Sequence, residues 1–147
     1  MYKKILVATD GSKLSQKAVT HALASAVLSD AELVAIKVIP RVQQTYYEGA
    51  IPLNDQETKR ILATWRHDAE TLLSQVVALG KRKGVVVKPV VVSSDLVAET
   101  LIKTALKTKA DLIVMASHGR RGISRLLLGS ETNHVLTHSS IPVLVIK

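Results

Sequence analysis

The sequence predicts an α/β fold, a parallel sheet of five strands with helices on both faces. Two observations carry that prediction. Short runs of purely apolar residues recur, such as Ile5-Leu6-Val7-Ala8 and Leu112-Ile113-Val114-Met115-Ala116. Such runs are what strands buried on both faces require. Between most of them lie longer segments whose apolar residues return at helical spacing. That is the pattern of helices crossing over, right-handed, between parallel strands. A length of 147 residues suits one domain spanning 1–147 and can bury a core without staples.

The elements follow in order. The first strand ends at Asp10-Gly11-Ser12. Over residues 15–28, Ala18, Val19, Ala22, Leu23, Ala26 and Val27 form one apolar stripe, the first helix. Residues 33–39 make the second strand, stopped by Pro40. Residues 41–53 have no clear period, hold Gly49 and Pro52, and read as a loop. Asn54 with Glu57 three residues on is a capping-box variant that opens the second helix. Ile61, Leu62, Trp65, Ala69, Leu72, Leu73, Val76 and Leu79 share one side of it, with Trp65 expected in the core. It should end at Gly80 or Gly84. A helix of roughly 25–30 residues reaches about 40 Å, so its first turns are expected to overhang the sheet.

Residues 85–92 form the third strand. Pro89 has no N–H for a ladder, which assigns this strand to a sheet edge. Asp95 is placed to cap a third helix carrying Val97, Ala98, Leu101, Ile102, Ala105 and Leu106. The fourth strand, 112–116, is followed by a loop over 117–128. Ser130 opens a short helix, and residues 142–146 close the sequence as the fifth strand. Strands one and four are the most uniformly apolar and should be central neighbours.

Composition narrows the function. The chain has 47% apolar and 22% charged residues, as globular proteins do. Cysteine is absent, which excludes a disulfide scaffold, thiol catalysis, Fe–S clusters and cysteine-type zinc sites. No signal peptide precedes the first strand and no apolar run is long enough to span a bilayer, so the cytoplasm is the expected location. Twenty Lys and Arg against 12 Asp and Glu leave a formal charge of +8. That excess asks for an anionic partner or marks a basic solvated surface, and position decides between the two.

In open parallel sheets, ligands bind beyond the carboxyl ends of the strands, where strand order reverses. Those ends carry Thr9-Asp10-Gly11-Ser12 and Ser117-His118-Gly119-Arg120-Arg121-Gly122. From Leu112 to Ser130 there is no acidic residue, yet His118, Arg120, Arg121 and Arg125 are present. Gly119 and Gly122 permit close backbone approach, and Gly129-Ser130 begins a helix whose N–H groups can hold an anion. Neither the Walker A pattern nor G-x-G-x-x-G occurs. Phosphate binding is one interpretation. A glycine-rich connecting loop with solvated arginines and Ser130 as a plain N-cap is the other.

Asp10-Gly11-Ser12, the run Met115 to Gly122, Leu126-Leu127-Leu128-Gly129-Ser130 and the closing Ile141-Pro142-Val143-Leu144-Val145-Ile146 together resemble the universal stress protein family. The resemblance covers essentially the whole chain. It implies a doubly wound, Rossmann-like sheet in the order 3-2-1-4-5. It also implies ATP or AMP bound through G-x2-G-x9-G-[ST]. Gly119, nine residues and Gly129-Ser130 match that pattern, whereas Ala116 stands where its first glycine belongs. By the same resemblance, Ala8, Thr9 and Asp10 flank the adenosine. Val38 meets the adenine edge through its main chain, with Met115 and Ala116 nearby. His118, Gly119, Arg120, Gly129, Ser130, Glu131 and Thr132 surround the phosphates. Magnesium would be held mainly by the phosphates. Homodimers are implied through the last strand, Pro142, Val143, Leu144, Val145 and Ile146, an apolar edge that another chain can pair.

Single residues carry competing roles. Asp10 can orient ribose or adenine, and it can cap the first helix by an Asx-type turn; the two can coexist. His118 can touch a phosphate or bond loop backbone. His134 and His138, at i, i+4 spacing, can bind metal, but with no third ligand apparent a surface pair is expected. Lys81-Arg82-Lys83 reads as a solvated helix end. Nucleic acid is disfavoured, because only Trp65, Tyr2, Tyr46 and Tyr47 are aromatic. No general base or nucleophile–base pair is arranged, which favours a regulatory nucleotide-binding module over an enzyme. Two alternatives remain: a partner-binding module without nucleotide, motivated by Ala116, and a slow ATPase or self-phosphorylating protein using Ser130 or Thr132.

Overall fold

The computed structural model describes residues 1–42, 49, 51–119 and 128–147. It contains β1 (Lys4–Ala8), α1 (Lys13–Ser29), β2 (Glu32–Ile39), α2 (Asp55–Arg82), β3 (Val87–Ser93), α3 (Val97–Thr108), β4 (Leu112–Ala116), α4 (Ser130–His138) and β5 (Val143–Ile146). The five strands form one parallel sheet in the order β3-β2-β1-β4-β5. The fold class and strand order read from the sequence are those observed.

Alternation along each strand divides the core in two. Ile5, Val7, Leu33, Ala35 and Val114 face α1 and α2, where they meet Ala18, Ala22, Leu23, Leu73 and Val76. Leu6, Val34, Ile36, Ile113 and Met115 face the other side and meet Ala98, Leu101 and Ala105 of α3 and Val135 of α4. From the two adjacent central strands the chain leaves in opposite directions, β1 towards β2 and β4 towards β5. That leaves a crevice at their carboxyl ends.

Element ends differ from the sequence expectations for local reasons. Ser12 caps α1, its hydroxyl accepting from Ser15 N at 3.2 Å, so the helix starts at Lys13. At α2 the capping box forms as expected, Glu57 N donating to Asn54 Oδ1 at 2.8 Å and Asn54 N to Glu57 Oε2 at 3.1 Å. The helix passes through Gly80 and stops after Arg82, with Gly84 at φ 72° carrying the turn. Buried positions in α2 begin only at Ala69. Its first turns therefore stand clear of the core, and Trp65 is half-buried rather than central. Lys81 and Arg82 sit in the last turn, where cations suit the helix dipole.

Three further boundaries are corrected. The third strand begins at Val87, because Val85 N closes the preceding turn on Gly80 O at 2.9 Å. Asp95 does not cap α3: the N-cap is Leu96, and Asp95 Oδ1 accepts from Arg41 N at 3.0 Å instead. The fifth strand begins at Val143, one residue after Pro142, whose carbonyl accepts from Ile113 N at 2.9 Å, whereas α4 opens at Ser130 as expected, with Gly129 as its N-cap. The loop expected over 41–53 lies in part outside the described residues.

Pro89 and Lys88 are both exposed on the outermost strand, as the edge assignment requires. At the amino end of the sheet, Glu32 Oε2 lies 3.3 Å from Lys4 Nζ and 3.7 Å from Lys88 Nζ, linking three adjacent strands. Asp111 accepts from Lys3 N at 2.8 Å and Lys4 N at 3.1 Å beside it.

Candidate functional site

A cavity of about 600 Å³ opens at the carboxyl ends of β1 and β4. It is built from three kinds of surface. One is apolar: Ala8, Ile36, Val38 and Met115 from the strands, with Val97 and Leu101 from α3.

The second is the turn leaving β1. Thr9 N donates to Ile36 O at 3.1 Å and prolongs the pairing with β2. Its hydroxyl lies 3.1 Å from Ser15 Oγ and accepts from Gly11 N at 3.3 Å. Ser12 N donates to Asp10 Oδ1 at 2.9 Å, an Asx turn made possible by Gly11 at φ 81°. Asp10 thus caps the turn and lines the cavity at once. Its other oxygen points towards Gly119, where an added Cβ would lie 3.1 Å away.

The third surface is the start of α4. Gly129 N donates to Ser117 O at 2.8 Å, which fixes the helix against the end of β4. Thr132 Oγ1 donates to Ala116 O at 2.9 Å and adds a buried second tie. The N-cap of this helix, Gly129, has no side chain to cap it. The N–H groups of Ser130, Glu131 and Thr132 have no intrahelical acceptor, and all three residues line the cavity. An N-terminus so placed favours an anion through its partial positive charge.

The structure therefore gathers Ala8, Thr9, Asp10, Val38, Met115, Ala116, His118, Gly119, Gly129, Ser130, Glu131 and Thr132 around one cavity. Arg120, with Arg121, Gly122 and Arg125, lies outside the described residues. His118 Nδ1 is 3.1 Å from Ser117 Oγ, the side chain of its neighbour. Thr132 is 2% exposed with its hydroxyl committed to Ala116, which removes it as a phosphate acceptor. Ser130 is the exposed hydroxyl of the pair.

Five lining residues escaped the sequence reading: Ser15, Ile36, Lys37, Val97 and Leu101. Lys37 had a signal, as the only cation inside the apolar run 33–39. Val97 and Leu101 had none, since a cavity wall and a core stripe share one helical period. Away from the site, the His134 and His138 rings stack with centroids 4.2 Å apart. Among the described residues, no group of three or more His, Asp or Glu could hold a metal ion, here or at the cavity. No helix among them is long and apolar enough to cross a membrane.

The model of the universal stress protein family matches residues 1–147. Universal stress protein MJ0531 of Methanocaldococcus jannaschii is 34% identical over all of this chain and 83% of its own length. The solved structure of MJ0577 from the same organism superposes with a TM-score of 0.85 at 29% identity, covering 100% of this chain and 96% of that one. A universal stress protein solved in complex with cAMP gives a TM-score of 0.70 at 25% identity, covering 99% and 97% of the two chains. On fold, sequence and extent of match alike, the chain belongs to the universal stress protein family.

Proposed function

We propose that the chain binds an adenine nucleotide, ATP or AMP, and acts as a stress-response module through occupancy of that site rather than through turnover. The observation that carries this is the N-terminus of α4, begun by Gly129 with no capping side chain of its own, opening onto a cavity whose other wall is apolar. A phosphate suits the first surface and a flat base the second. The related protein in complex with cAMP supports an adenine ligand.

In this reading the base packs near Val38, Met115 and Ala116, and Ala8, Thr9 and Asp10 flank the ribose. The phosphates lie against His118, Gly119, Gly129, Ser130, Glu131 and Thr132, and kinship with the family adds Arg120 to that group. Magnesium, where present, is carried by the phosphates. A cytoplasmic setting belongs to the same reading and rests on kinship with the family.

Calorimetry with ATP and with AMP, each with magnesium, tests it. The expected Kd is micromolar, about −8 kcal/mol. No heat with either ligand overturns the reading. Ala116 favours one rival, because its methyl enters the wall where the family motif has glycine. Ala116→Gly should change the affinity less than about three-fold, under 1 kcal/mol. If the variant binds and the wild type does not, the rival partner-binding module without nucleotide is correct.

The proposal extends to a homodimer through β5. Among the described residues this strand is paired only by β4, and Leu144 on it is 38% exposed. An open apolar edge is stabilised by a second strand. Light scattering at micromolar concentration should give twice the chain mass, and a monomer mass refutes the dimer.

A further inference from the structure

Glu131 stands where a bound phosphate would make a carboxylate unwelcome. It belongs to the first turn of α4, among the N–H groups that face the cavity. Its side chain is committed elsewhere: Ala98 N donates to Glu131 Oε2 at 2.8 Å. α3 has no cap of its own, for Leu96 offers no side-chain acceptor. Glu131 supplies from 33 residues away what Ser or Asp usually supplies locally. Its negative charge also suits the α3 N-terminus. α3 in turn contributes Val97 and Leu101 to the apolar wall. One side chain therefore joins the anion-facing helix to the wall expected to hold the base.

Resting on the nucleotide reading above, we infer that Glu131 is a positioning residue that sets the base-binding wall by capping α3 from α4. Affinity for the uncharged part of the ligand then depends on a residue of the phosphate-side helix. The same bond explains how the site tolerates an acid at that helix: the carboxylate is spent on a backbone donor.

The test compares wild type, Glu131→Gln and Glu131→Ala. Glutamine keeps an acceptor for Ala98 N, and alanine keeps none. Amide exchange at Ala98 in the ligand-free protein should speed up about five-fold in Glu131→Ala, the size of a lost helix cap, and stay near wild type in Glu131→Gln. Calorimetry with adenosine should show the same pattern, about five-fold weaker with alanine and restored with glutamine. A gain for ATP with adenosine unchanged would make Glu131 an electrostatic residue and overturn the inference. Unaltered Ala98 exchange in Glu131→Ala overturns it independently of any ligand. A wild type that binds none of adenosine, AMP or ATP refutes the nucleotide reading and the coupling to it, while Ala98 exchange still reports on the cap alone.

Discussion

Gly129→Val should abolish nucleotide binding, weakening it at least a hundred-fold, about 2.7 kcal/mol. The backbone there, at φ −60° and ψ 153°, suits any residue, so space is the constraint. A Cβ at position 129 would lie 3.3 Å from Ser117 O and 3.4 Å from His118 Cα. Both are backbone atoms and cannot swing aside. Valine adds two more carbons at the same point. The start of α4 must then move off the end of β4, stretching the 2.8 Å bond from Gly129 N to Ser117 O. The N–H groups of Ser130 and Glu131 move with it, and an anion-binding turn is sensitive to such shifts. Position 129 is only half-buried, so the fold should survive with a slightly lowered Tm. Gly129→Ala should give a milder loss. Calorimetry on the valine variant decides: affinity within three-fold of wild type would show that the α4 start does not hold the ligand.

Gly80→Ala should destabilise the protein by about 2–3 kcal/mol, opposite in sign to the usual effect. Replacing glycine by alanine inside a helix normally stabilises by roughly 0.5–1 kcal/mol, through lost freedom of the unfolded chain. Here the new methyl would run into Val87 Cγ2 and come within 3.0 Å of Val85 O. Those atoms belong to the segment that doubles back from α2 into β3, closed by the Val85 N to Gly80 O bond of 2.9 Å. The absent side chain is what lets the helix end and the edge strand touch. Urea unfolding measures the change. In a Val87→Ala background part of the loss should disappear, because one of the two obstacles is gone while the carbonyl stays. A variant as stable as wild type, or more so, would mean that this turn is loosely packed.

Legibility from the sequence followed the range of the interactions. Pro89 declared an edge because a missing N–H is a local fact with a global consequence. Asn54 and Glu57 declared a helix start because both halves of the capping box lie within four residues. The ends of β1 and β4 could be singled out because glycines and charges interrupt otherwise apolar runs. What escaped depends on partners far apart in sequence. Asp95 has the chemistry of an N-cap, yet its carboxylate is drawn to Arg41 N, 54 residues away. The α3 cap comes from Glu131, which no local pattern could assign. Trp65 lies on the apolar stripe of α2, but the fully buried part of that stripe starts a turn later, at Ala69. Val97 and Leu101 keep core periodicity while facing a hollow.

The outer strand β3, with exposed Pro89 and Lys88, has a consequence for how copies of this chain can add to one another. A sheet with two open margins is a template without an end, since each added copy leaves a fresh margin for the next. A proline that offers no N–H, next to a lysine that must stay hydrated, blunts one margin here. Only the β5 side remains available. Two copies joined there would each spend their one usable margin and leave a β3 at either end. Growth by strand addition would stop at two, with closed symmetry in place of a fibre.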